Sequence, residues 1–81
     1  MKKHTKIYMD YFNYVLDDFI ECEVCGARAV DIHHIENRGA GGSKHKDTIE
    51  NLMAVCRPCH IFHGERKESL QFLKDIHNEN L

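Results

Sequence analysis

No stretch of this chain is apolar for long enough to cross a bilayer, and Met1-Lys2-Lys3-His4-Thr5 contains no apolar run of the kind a secretory leader needs. A reducing, cytoplasmic setting with no membrane partner is therefore expected. There is no low-complexity tract, and no repeat beyond a pair of short cysteine motifs. There is no basic excess either. The formal net charge is −2, whereas a nucleic-acid-binding domain is usually basic. Length is also short: 81 residues make one domain, residues 1–81, whose core rarely supplies more than about 3–5 kcal/mol unaided. A staple is expected.

The four cysteines can provide it. They form two Cys-x-x-Cys pairs, Cys22-Glu-Val-Cys25 and Cys56-Arg-Pro-Cys59. Two disulfides are the rival to a metal, but in a reducing compartment such pairs more often bind one. Four thiolates suit one closed, tetrahedral structural Zn²⁺ site. Thirty residues separate the pairs, more than a compact zinc ribbon uses, so the insertion reads as a working element hung on a clamp. Charge is unevenly spread. Asp10, Asp17, Asp18, Glu21 and Glu23 form an acidic block, while Arg38, Lys44 and Lys46 have no acid between them. The plain reading of such runs is a solvated surface, but the basic residues do fall in the histidine-bearing half.

Tyr8, Phe12, Val15 and Phe19 recur at helical spacing, which predicts an amphipathic helix over 5–20. Cys22–Cys25 with Gly26 reads as a tight knuckle, with glycine supplying an unusual backbone angle. Residues 29–35 lean to strand, 37–46 to loop, and Leu52-Met53-Ala54-Val55 to a second strand. Pro58, the single proline, suits the first turn of a helix; that helix carries Cys59, His60 and His63, and Gly64 can end it. Leu70, Leu73 and Ile76/His77 share one face of a last helix over 65–78.

The histidines are surplus to a four-cysteine site. His33 and His34 are neighbours, and neighbours on a regular strand point to opposite faces. Both can serve one site only if the strand ends or bends there. One imidazole would then bind metal and the other take a proton from water; the plain reading is one buried and one exposed structural histidine. His60 and His63 fall on one helix face. His4 and His77 carry no motif and receive no role. His45 lies in the loop, facing solvent or a phosphate.

Asp31-Ile-His-His-Ile35, then Gly41-Gly42, then Asn51-Leu52, then Cys56-x-x-Cys59-His60 resembles the HNH endonuclease motif, in the branch clamped by four cysteines. The resemblance spans 22–63, and many such small proteins are encoded by phages or mobile elements, which would make the setting a host cell's cytoplasm. It implies an α+β fold: a ββα-metal core on a structural zinc site, with flanking N- and C-terminal helices. It implies a metal-dependent endonuclease hydrolysing DNA phosphodiester bonds, with duplex DNA as partner and leaving 5′-phosphate and 3′-hydroxyl ends. Carried over by position, Cys22, Cys25, Cys56 and Cys59 hold structural zinc. His33 and His60 hold one catalytic divalent ion (Mg²⁺, Mn²⁺, Ni²⁺ or Zn²⁺), and His34 is the general base. Asn51 either orders the loop beneath His34 or ligates the ion. The family's usual second helix ligand falls on Gly64, so His63 either substitutes or leaves the place to water. Arg38, Lys44 and Lys46 would contact phosphates, which positions DNA without reading its sequence. The alternative function is a non-catalytic zinc-knuckle module binding DNA or protein. A thiol oxidoreductase fits the histidines poorly.

Overall fold

The computed structural model describes residues 2–36, 47–64 and 66–81. Two strands, β1 (Asp31–His34) and β2 (Leu52–Val55), pair antiparallel, with His33 opposite Met53 and His34 opposite Leu52. Among the described residues three helices accompany them: α1 (Lys3–Phe12), α2 (Arg57–His63) and α3 (Leu70–Asn80). Short 3₁₀ turns at Ile49–Asn51 and Lys67–Ser69 lead into β2 and α3. This is the small α+β architecture expected.

The sheet has two covered faces, and strand alternation assigns every residue to one of them. Met53 and Val55 join Ile35, Cys22, Cys56 and Leu73 in one apolar cluster, against which Leu70 and Ile76 of α3 pack. Leu52 and Ala54 join Tyr8 in the other, with Ile7, Phe12 and Ile32 against it. All four residues of β2 are buried, as a strand covered on both sides requires. The chain thus sandwiches a two-stranded sheet, which alone would be marginal, between α1 and the α2–α3 side.

The N-terminal helix is shorter than its apolar pattern suggested. It ends at Phe12 because Asn13 takes a left-handed conformation (φ 60°) and its N–H returns to Asp10 and Met9 carbonyls, an αL cap. Beyond it the Asp18 carboxylate accepts from the Val15 N–H at 2.8 Å. The periodicity therefore holds for Tyr8 and Phe12, whose rings lie 4.7 Å apart. It fails for Val15 and Phe19, which are 63% and 53% exposed. The last helix begins later than expected, at Leu70 after its 3₁₀ turn, and its inward face is as read: Leu73 and His77 are buried.

Candidate metal centre and active site

The first knuckle closes as its sequence dictates. Cys22 N–H donates to Ala27 O, Gly26 N–H donates to Cys22 O, and Gly26 has φ 81°, a conformation open chiefly to glycine. The second knuckle runs into α2, whose first turn contains Pro58 and whose N-cap is Cys56. The two turns meet. One sulfur from each of Cys22, Cys25, Cys56 and Cys59 lies within 4.8 Å of all the others, and none is disulfide-bonded. Sulfurs around tetrahedral zinc, at Zn–S near 2.3 Å, stand roughly 3.8 Å apart, so the cluster fits the ion with small movements. Its electrostatics ask for a cation. Burial works to raise the Cys22 thiol, but backbone hydrogen bonds from Cys56, Cys25 and Val24 outweigh it and bring it down to about 7. Cys59 is pushed up by burial and by the neighbouring sulfurs. Four crowded thiols cannot all ionise without a positive charge between them.

β1 divides the remaining histidines. On the α2 side, Asp31 and His33 share a face. His60 Nδ1–H donates to Asp31 Oδ2 at 3.0 Å, and the His33 and His60 rings stand 4.8 Å apart. Asp31 opens the motif but received no role from it; its position two before His33 on a strand is the signal that could have assigned one. A carboxylate on one ring nitrogen leaves Nε2 as the ligand atom, the usual outer arrangement of a metal-binding histidine. On the α1 side stands His34, the last residue of β1. Its Nε2 lies 2.6 Å from Asp47 Oδ1, and its ring packs at 4.7 Å on that of His4. His33 and His34 thus leave the strand on opposite sides, and both can serve one reaction only because β1 ends between them and the turn.

Asn51 orders that turn. Its side-chain oxygen accepts from Glu36 N–H at 2.8 Å, its amide donates to Glu36 O at 3.1 Å, and its carbonyl accepts from Ile35 N–H at 2.9 Å. Both atoms of its side-chain amide are thus engaged by the backbone of the turn that follows His34. His63 is turned from His60 toward α3: its Nδ1 is hydrogen-bonded to Ser69 Oγ at 2.9 Å, and its ring meets Phe72. Gly64 has little room for a side chain, since a Cβ there would press on the His60 carbonyl and stand 2.8 Å from its ring carbon Cδ2. Among the described residues, only the four cysteines bring three or more ligand atoms together; His33, His60 and His63 do not. Arg38, Lys44, Lys46, His45 and the Gly41-Gly42 pair lie outside the described residues.

A second polar cluster went unread in the sequence. Glu23, inside the first knuckle, accepts from Tyr8 OH (2.7 Å), His77 Nδ1 (2.8 Å), Asn80 Nδ2 (3.0 Å) and Ala54 N–H (3.2 Å). His77 Nε2 also donates, to Ile49 O at 2.5 Å. Both ring nitrogens face acceptors, so His77 is an imidazolium and Glu23 a carboxylate. The shifts agree. Burial works to lower His77, but Glu23 and the Ile49 carbonyl outweigh it and raise it. Burial works to raise Glu23, but its bonds from His77, Tyr8 and Asn80 lower it.

A two-stranded antiparallel sheet crossed by a helix, with imidazoles between them and four cysteines positioned to form a zinc site, defines a small ββα domain. The sequence profile of the HNH endonuclease family matches residues 22–66, more than half of the chain, and the protein belongs to that family. No curated protein and no solved structure gives a significant match to it.

Proposed function

We propose that the protein is a metal-dependent endonuclease hydrolysing phosphodiester bonds of duplex DNA. The observation that supports this most is the pairing of His33 with His60, whose Nδ1 is engaged by Asp31. Two adjacent imidazoles are a donor set that first-row divalent ions accept, and two protein ligands leave positions open for water and phosphate. An ion bound there would neutralise a non-bridging oxygen and the charge developing on the leaving 3′ oxygen. His34, at the end of the same strand, takes the proton of the attacking water. Asn51 keeps the turn after His34 in register through Glu36. Arg38, Lys44 and Lys46 would hold flanking phosphates without selecting sequence.

The test is supercoiled plasmid incubated with zinc-loaded protein and Mg²⁺ or Mn²⁺, with and without chelator, while circular dichroism follows the fold. Nicking or linearisation only with the ion supports the reading. A folded, zinc-loaded protein that binds DNA yet leaves it intact with Mg²⁺, Mn²⁺, Ni²⁺ and Zn²⁺ would be the non-catalytic module instead. Loss of His34 should slow cleavage roughly 10²–10⁴-fold, the scale of a positioned base. His33→Ala and His60→Ala should instead weaken Mn²⁺ binding in calorimetry. If His34→Ala loses the ion and His33→Ala keeps it, the two roles are exchanged.

A further inference from the structure

We infer that Asp47 is a positioning residue for His34, fixing the tautomer and the ring plane of the base; the inference rests on the endonuclease reading above. The contact is short and sheltered. Asp47 Oδ1 lies 2.6 Å from His34 Nε2, and the two side chains are only 8% and 15% exposed. An ionised carboxylate can only accept a hydrogen bond, so the imidazole proton sits on Nε2 and the lone pair on Nδ1. With water largely excluded, a bond to a charged acceptor is stronger than its exposed equivalent. The His4 ring, tilted by 54° at 4.7 Å, walls the imidazole from α1.

Asp47 is itself held. The turn that follows it closes with Asn51 N–H on Thr48 O at 2.9 Å, and Asn51 clamps Ile35 and Glu36. Residues 47–51 therefore brace 34–36 at two points: Asp47 on the imidazole and Asn51 on the backbone just beyond it. The base is gripped by its side chain and by the turn it leads into. In the reaction, one proton of the attacking water passes to Nδ1 as the new P–O bond forms and the bond to the 3′ oxygen breaks, the departing 3′ alkoxide taking a proton from solvent water. The Nε2 proton stays where it is. The resulting imidazolium faces the Asp47 carboxylate, which stabilises it without taking a proton, the division of labour known from Asp–His pairs elsewhere.

The experiment is a double-mutant cycle on the zinc-loaded full chain. Single-turnover cleavage is measured for Asp47→Ala, Asp47→Asn, His34→Ala and His34→Ala/Asp47→Ala, with Mn²⁺ and DNA affinity determined for each. Asp47→Ala should slow cleavage roughly 10–10³-fold, short of complete loss of the base, with both affinities unchanged. Asp47→Asn, which preserves shape and guards against a folding defect, should be as slow, because its amide can donate to Nε2 and invert the tautomer. Adding Asp47→Ala to His34→Ala should cost nothing further, since groups that act as a unit are non-additive. An equal slowing on the His34→Ala background would overturn the inference and leave Asp47 an independent structural residue. So would wild-type rates for both Asp47 variants beside an inactive His34→Ala. A fully active His34→Ala would instead remove the base reading, and this inference with it.

Discussion

Replacing His77 by alanine removes an imidazolium that is 0% exposed and leaves two groups behind: the Glu23 carboxylate and the Ile49 carbonyl. Breaking a buried ion pair from one side costs about 3–5 kcal/mol, because the surviving charge stays desolvated. Glu23 keeps Tyr8, Asn80 and the Ala54 N–H, which holds that cost near the lower figure. The Ile49 carbonyl loses its donor for about another 1 kcal/mol. The sum, about 4 kcal/mol, is a large part of the roughly 5–15 kcal/mol of a typical domain. At about 4–8 °C per kcal/mol for a chain of this size, Tm should fall by roughly 15–30 °C at fixed free zinc. The double variant His77→Ala/Glu23→Gln should recover part of the loss, since no charge is then stranded. The pH dependence follows from the signs. His77 is raised from 6.5, so its contribution is complete below that value and fades as pH climbs through the raised one. Glu23 is lowered from 4.5, so its contribution is complete above that value and fades as pH drops through the lowered one. The Tm gap between wild type and His77→Ala should therefore be widest between 4.5 and 6.5. Thermal melts by circular dichroism decide it: a gap of under about 4 °C in that window, less than 1 kcal/mol, would refute the pairing.

Two further outcomes are expected. Cys56→Ala should give a largely unfolded chain, because apparent zinc-binding free energy in small knuckles, roughly 10–16 kcal/mol, matches or exceeds a typical domain's whole stability; a wild-type melt with no bound zinc in metal analysis would dismiss the clamp. Gly64→His, which writes the family's usual second helix ligand into this chain, should weaken Mn²⁺ binding in calorimetry, because the new Cβ displaces His60; tighter binding would show that α2 can yield there.

The sequence made the centre of the molecule legible and left its edges hidden. The knuckles, both strands and the Pro58-led helix follow from local rules: cysteine spacing, Gly26, apolar runs and the single proline. The N-terminal helix was overextended because Val15 and Phe19 continue a spacing that Asn13 interrupts, and Asn13 gives little warning that it will adopt φ 60°. Side-chain partnerships made only by tertiary proximity were not legible in the sequence. Asp31 reaches His60 across 29 positions, and His77 reaches Glu23 across 54. A histidine at the apolar edge of a helix reads as an imperfection until its partner is known. Asp47 likewise reaches His34 across 13 positions.

The position of Glu23 gives the zinc clamp a long reach. It stands between Cys22 and Cys25, so the turn that presents two sulfurs also anchors α1 through Tyr8 and α3 through His77 and Asn80. Zinc bound at the four cysteines would make metal capture and docking of α1 and α3 one linked equilibrium, and linkage of this kind is reciprocal. Whatever free energy zinc lends to the helices, the helices lend to zinc, at about 1.4 kcal/mol for each tenfold in affinity. Helices α1 and α3, through Tyr8, His77 and Asn80, would thereby set how firmly the cysteine scaffold holds a zinc ion.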